Sequence, residues 1–239
     1  MIDTNETIRE QFIDLLKNND FVIDKNGGKV IEIIAANFLV TDDTIFGTLN
    51  QDYAQRELEW YLSESLNVND MPGEVPAIWK SVATPDGWIN SNYGYLALSR
   101  ENHNQYERVK HELLENPDSR RAVMHYSRPE IWYQYYIDGM SDYICCFNTH
   151  HFIRDGNYLT TIVSMRSNDV WAGFKNDLYW FRYIHNRLSA DLDVLPGKIY
   201  WRANSLHIYE KQFYLVDYYS KTGIHYISKK DYDIFIKNS

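Results

Sequence analysis

The sequence predicts an α+β fold built on one large β-sheet flanked by helices, and three observations carry that reading. Apolar residues recur at helical spacing near the start of the chain and again past residue 170. β-Branched and aromatic residues crowd several stretches between them, and no repeat, low-complexity tract or Ser/Gly-rich linker divides the 239 residues. With 44% hydrophobic residues the chain is long enough for one sizeable core and short for several, so a single domain over residues 1–239 is expected.

Residues 5 to 17 read as a first helix, because Ile8, Phe12, Leu15 and Leu16 fall on one face. Val30 to Val40 is β-rich and reads as a buried strand. Asp52 to Ser65 is a second helix, and Asn104 to Glu115 another, leading into Asn116-Pro117-Asp118. Several strands are expected between Ala122 and Arg166. Leu178, Phe181, Ile184 and Leu188 mark a long helix starting near Asn176. Lys198 to Tyr209 returns to strand character, and helix or irregular structure closes the chain.

A net charge of -9 argues against direct DNA binding, which depends on clustered cations neutralising phosphates. Any anionic ligand must then be held by local Arg or Lys. The start of the chain, Met1 to Phe12, has no apolar core of signal-peptide length, and Val30 to Val40 is interrupted by Glu32 and Asn37 and far too short to span a bilayer. A cytoplasmic protein without membrane contact is expected. The 20 Tyr and 7 Trp suggest wide apolar surfaces with polar tips, in a core or a dimer interface. The two cysteines are the neighbours Cys145 and Cys146, a poor pair for a structural disulfide, so reduced thiols are expected. Together with His150-His151 they have the wrong intervals for a closed zinc site, and no metal is expected.

Three constellations bear on chemistry. Helical spacing places Glu57 between Tyr53 and Tyr61 on the apolar face of its helix. A carboxyl there has a raised pKa and suits proton transfer near neutral pH; the alternative is a structural acid paired with Arg56. Strand alternation in Asn204-Ser205-Leu206-His207-Ile208-Tyr209 sends His207 and Tyr209 to one face, where they would clamp a sugar hydroxyl or simply be solvated. Pro117-Asp118-Ser119-Arg120-Arg121 sets two cations beside a turn, and the planar fork of Arg suits phosphate.

Taken together, these segments resemble the thymidylate synthase family over almost the whole chain. The matches run in the family's order: Glu57-Leu58-Glu59-Trp60-Tyr61-Leu62, Ile78-Trp79, Tyr93-Gly94, Pro117-Asp118-Ser119-Arg120-Arg121, Arg166-Ser167-Asn168-Asp169-Val170 with Gly173 and Asp177, and His207-Ile208-Tyr209. The resemblance implies a thymidylate synthase-like fold, one mixed sheet at the interface of a homodimer, and methylenetetrahydrofolate as co-substrate. Cys145 would add to carbon 6 of a pyrimidine, making carbon 5 a nucleophile. Cys146 is the rival; Cys145 is preferred because its spacing to Asp142 and to Phe152-Ile153 then matches without a gap. By the same resemblance Lys25, Arg166 and Ser167 would hold the phosphate, with Arg120 and Arg121 reaching across from the partner subunit. His207 and Tyr209 would hold the sugar, Trp79 and Asp169 the folate, and Tyr93 and Gly173 would support the site.

Position 177 departs from the synthases, which have Asn there. A carboxyl that accepts from an exocyclic amine and shares a proton with the ring nitrogen fits cytosine, whereas a carboxylate facing the uracil carbonyl sets two acceptors together. The alternative is that Asp177 caps the nearby helix. Asp at this position is similar to the deoxycytidylate (dCMP) hydroxymethylases of bacteriophages, as are Asp24-Lys25, Gln55 to Tyr61, Ile89 to Gly94, Asp138-Gly139-Met140-Ser141-Asp142, Met165 to Val170 and Ser228 to Tyr232. That likeness implies trapping of the methylene intermediate by water, with Glu57 orienting the water, and a place in the host bacterial cytoplasm; a nucleotide-synthesising assembly is a further candidate partner. Cys146 stands where the synthases have His, and His150 where they have Gln. Reductive methylation of dUMP or dCMP, hydroxymethylation of CMP, and an inactive interaction subunit are the competing readings.

Overall fold

The structure is a computed structural model that describes residues 2–25, 27–134, 140–154 and 157–238. Asp138 and Gly139 of the Asp138-Gly139-Met140-Ser141-Asp142 match lie outside the described residues. In chain order the elements are β1 (Asp3–Thr4), α1 (Asn5–Lys17), β2 (Val22–Ile23), β3 (Lys29–Leu39), α2 (Gln51–Leu62), α3 (Ala77–Val82), α4 (Tyr93–Leu98) and α5 (Gln105–Glu115). There follow β4 (Val123–His125), α6 (Ile131–Gln134), β5 (Cys146–Arg154), β6 (Tyr158–Met165), β7 (Asn168–Asp169), α7 (Gly173–Asp191), β8 (Leu195–Tyr209), α8 (Phe213–Thr222) and α9 (Lys229–Lys237). Among the described residues no helix is long and apolar enough to cross a membrane.

The chain forms two compact units, one comprising Met1–Leu49, Ser167–Leu178 and Trp201–Ser239, the other Asn50–Arg166 and Tyr179–Tyr200. The strand order is β1-β3-β8-β6-β5-β4, with β2 on β3 and β7 on β8. Parallel pairs (β1 with β3, β7 with β8) and antiparallel pairs (β2 with β3, β4 with β5, β5 with β6) coexist, so the sheet is mixed and the α+β expectation holds.

In the first unit, α1 covers the residues the spacing predicted, with a capping box between Thr4 and Thr7 closing its start. Ile8 and Phe12 of α1 are buried, and so are Phe38, Phe174, Trp201, Leu206 and Ile208. Each such side chain removed from water contributes about 1.5–3 kcal/mol. Strand β3 corrects an expectation: it is buried only in part, with Ile34 68% exposed. Ala35, at φ 56, breaks the alternation there.

In the second unit, Trp60, Tyr61, Tyr93, Tyr126, Trp180 and Phe181 form an aromatic core. The carbonyl of Tyr61 approaches Gly94 so closely that a Cβ there would stand 1.7 Å from it, so α4 can lie on α2 only with glycine at that position. Helix α2 stops at Leu62, short of the expected Ser65, because Glu64 turns to φ 59.

A buried polar chain crosses the same unit. His151 Nδ1 lies 3.0 Å from Thr161 Oγ1 and its Nε2 3.0 Å from Thr149 Oγ1, while Thr161 Oγ1 lies 2.8 Å from His185 Nδ1. Burial is the main cause that pushes His151 down to about 3 and His185 down to about 4, with His185 and His150 adding repulsion at the first and Arg182 at the second. Both rings therefore stay neutral in the folded protein, whereas the unfolded chain takes up their protons below about pH 6.5. Stability is expected to fall by about 1.4 kcal/mol per pH unit for each ring as the pH drops from about 6.5 to about 4. Urea unfolding at several pH values should show that slope reduced in His151→Gln. An unchanged slope would refute the account.

Candidate active site

Glu57 lies on α2, whose start is capped by Asn50 accepting from the Tyr53 amide at 3.1 Å. It is 4% exposed. Tyr53, one turn earlier, donates its hydroxyl to Oε1 of Glu57, and Trp79 of α3 donates Nε1–H to the same oxygen at 2.9 Å. Burial holds this carboxyl above its usual range, against the pull of those two hydrogen bonds. The alternative pairing with Arg56 is overturned: Arg56 donates instead to Asp52 and to the carbonyls of Pro72 and Glu74, each at 3.0 Å.

Cys145 stands just ahead of β5 and is half-buried. Its Sγ lies 3.8 Å from Arg166 Nη2, and the Arg166 amide donates to the Cys145 carbonyl at 2.6 Å. A guanidinium beside a thiol favours the thiolate. That guanidinium also lies 4.9 Å from the centre of the Tyr143 ring, which in turn meets Trp132 of α6 edge-on. Cys146 is fully buried, with Sγ 3.6 Å and 3.5 Å from the carbonyls of Asn148 and Ser164. Pairing between β5 and β6 slips between Cys146 and Asn148, a bulge that bends the strand at its first residues.

Sequence reasoning used Asp142 only as a spacing mark, yet it anchors the segment before the thiol. The buried carboxylate accepts from the amides of Asn90 and Ser91 at 2.7 Å and from the Ser91 hydroxyl at 2.6 Å. The signal available in the sequence was the pairing of two polar motifs, Ile89 to Gly94 and Met140 to Asp142, neither of which looks like surface. His150, which the sequence left uninterpreted, has Nε2 3.0 Å from the Arg120 carbonyl and so ties the Arg120 turn to β5. Arg120 and Arg121 are exposed, and Arg121 pairs with Glu112 at 2.9 Å. Tyr93 is buried in the aromatic core, 5.4 Å from the rings of Tyr61 and Phe181.

The other unit holds the remaining candidates. Helix α7 starts at Gly173, three residues before the expected start near Asn176, so Asp177 sits past the first turn. Asp169 Oδ1 accepts from the amides of Trp171 at 2.7 Å and Ala172 at 3.1 Å, in the turn just ahead of the helix. Asp177 Oδ2 accepts from Asn168 Nδ2 at 2.7 Å. A Cβ on Gly173 would meet Asn168 Nδ2 at 3.1 Å and Asp177 Oδ2 at 3.4 Å, so a larger residue would crowd the Asn168 side chain. His207 and Tyr209 share a face of β8 as alternation requires, with rings 5.0 Å apart, while Leu206 and Ile208 are fully buried on the other. Lys25 is exposed on the turn between β2 and β3, and Ser167 lies between β6 and β7.

The thymidylate synthase family profile matches residues 45–222. Over 97% of the chain and 98% of the relative, the sequence is 48% identical to the deoxycytidylate 5-hydroxymethyltransferase of Enterobacteria phage T4. The chain belongs to the thymidylate synthase family. The thymidylate synthase of Clostridium beijerinckii is 25% identical over 83% of this chain and 74% of its own. The fold agrees with the family. Thermostable thymidylate synthase A from Bacillus subtilis superposes with a TM-score of 0.70 at 19% identity, over 91% of this chain and 84% of that one.

Proposed function

We propose that this thymidylate synthase family member is a dCMP hydroxymethylase that moves a one-carbon unit from methylenetetrahydrofolate to carbon 5 of dCMP. The observation that carries the reading is Asp177: a carboxylate held by Asn168, in a chain whose phage T4 relative is named for deoxycytidylate and hydroxymethyl transfer. Its carboxyl group accepts from the exocyclic amine of cytosine and shares a proton with the ring nitrogen, which makes carbon 6 more electrophilic.

Cys145, beside the Arg166 guanidinium, adds to carbon 6, and carbon 5 then takes the one-carbon unit. Carbon 5 loses its proton, the folate leaves as tetrahydrofolate, water adds to the exocyclic methylene, and the Cys145–carbon 6 bond breaks to release 5-hydroxymethyl-dCMP. Glu57, buried and supported by Tyr53 and Trp79, orients that water. Trp79 thus serves the carboxyl as well as the folate. Arg166, Ser167 and Lys25 hold the phosphate, His207 and Tyr209 the sugar, and Asp169 the folate side; Tyr93 and Gly173 support their neighbours. The working form is a homodimer in which Arg120 and Arg121 serve the partner's phosphate, and the outward Ile34 of β3 is consistent with a covered sheet face.

Incubation with dCMP and methylenetetrahydrofolate is expected to yield 5-hydroxymethyl-dCMP and tetrahydrofolate. Formation of dihydrofolate would overturn hydroxymethylation in favour of reductive methylation. Glu57→Gln is expected to slow hydroxymethyl transfer by about a hundredfold or more, the usual worth of positioned acid–base groups. Alkylation of Cys145 should proceed at an unchanged rate, and a parallel loss of thiol reactivity would assign Glu57 to the wrong step.

A further inference from the structure

The sugar-side histidine has a hydrogen-bond chain behind it. Ser205 precedes His207 by two residues on β8 and shares its face, and Glu32 lies on β3, the neighbouring strand. Ser205 donates its hydroxyl to Oε1 of Glu32, and the same Oγ lies 3.3 Å from His207 Nδ1. A serine hydroxyl has one proton. With that proton committed to the carboxylate, Ser205 can only accept from the imidazole, so the ring must carry its hydrogen on Nδ1. In a neutral imidazole the other nitrogen then presents a lone pair.

We infer that Glu32 and Ser205 are positioning residues that fix His207 as its Nδ1–H tautomer and so make Nε2 a hydrogen-bond acceptor for a hydroxyl of the substrate's sugar. This rests on the reading of His207 as a sugar ligand. The consequence is directional: the ring accepts from the sugar and does not donate to it. A nucleotide lacking that hydroxyl leaves the nitrogen without a donor in a closed site, the kind of mismatch that discriminates strongly between substrates. A merely structural cross-strand pair of Ser205 and Glu32 would contribute to stability without biasing the ring or sugar recognition.

Two readouts separate these. Nitrogen-15 spectra of histidine-labelled protein at neutral pH should show His207 with Nδ1 protonated and Nε2 unprotonated, and Ser205→Ala should release that preference into a mixture of tautomers. In kinetics Ser205→Ala should raise KM for dCMP by about tenfold, the worth of one hydrogen bond, and lower kcat less. Ser205→Thr, which keeps the hydroxyl, should restore both. 2′,3′-Dideoxy-CMP should bind wild type and Ser205→Ala with equal affinity. Nε2 protonation in wild type, or a Ser205→Ala spectrum still biased to Nδ1–H, would overturn the relay. Failure to hydroxymethylate dCMP would sink the proposed function while leaving the tautomer result standing, so the two failures are distinguishable.

Discussion

Cys145→Ser is expected to lose about a thousandfold or more in turnover of dCMP, while Cys146→Ser retains most of it. The difference follows from where the two sulfurs sit. Cys145 Sγ is half-buried beside the Arg166 guanidinium, which also lies 4.9 Å from the centre of the Tyr143 ring. Replacing sulfur by a hydroxyl there removes the one atom that readily becomes an anionic nucleophile near neutral pH. Cys146 is fully buried against the carbonyls of Asn148 and Ser164, contacts a serine hydroxyl can also make. Steady-state product formation, with mass spectrometry for a nucleotide adduct on the peptide containing residues 145 and 146, measures both. An active Cys145→Ser protein would remove the nucleophile from the proposal, and the enzyme would then use other chemistry.

Asp177→Asn is expected to move base preference from dCMP toward dUMP. An amide presents a donor and an acceptor, and it can rotate so that its oxygen still accepts from Asn168, leaving its NH2 to donate toward the carbonyl at carbon 4 of uracil. One mismatched buried polar contact costs about 1–3 kcal/mol, so the ratio of kcat/KM values should shift by about 10- to 100-fold. Competition between the two nucleotides in one mixture reads the ratio directly. An unchanged ratio would mean that Asp177 serves helix α7 and not the base.

Much of this arrangement was legible in the sequence, for reasons tied to particular residues. Helix α1 and Asn104-capped α5 fell where their patterns end in capping groups, and Glu57 was placed in the interior by its spacing to Tyr53 and Tyr61. The start of α7 was missed because Gly173 is a weak helix former. Long-range partners stayed out of reach: nothing local says that Arg56 spans to Pro72 and Glu74, that His150 reaches the Arg120 carbonyl, or that Asp142 is gripped by Asn90 and Ser91. The preference for Cys145 over Cys146 rested on spacing, which says nothing of the burial of one sulfur or the cation beside the other.

The grip on Asp142 has a thermodynamic meaning. The Ser141 amide is bound to the Val82 carbonyl at 2.9 Å and the Asp142 carboxylate to Asn90 and Ser91, which leaves two residues, Tyr143 and Ile144, before the sulfur. On the far side Cys145 runs directly into β5. So short a span between fixed points has few conformations to lose, at about 1–2 kcal/mol for each residue that must be ordered. The entropy of placing the thiol is spent once, when the chain folds, and need not be spent again at each encounter with a nucleotide.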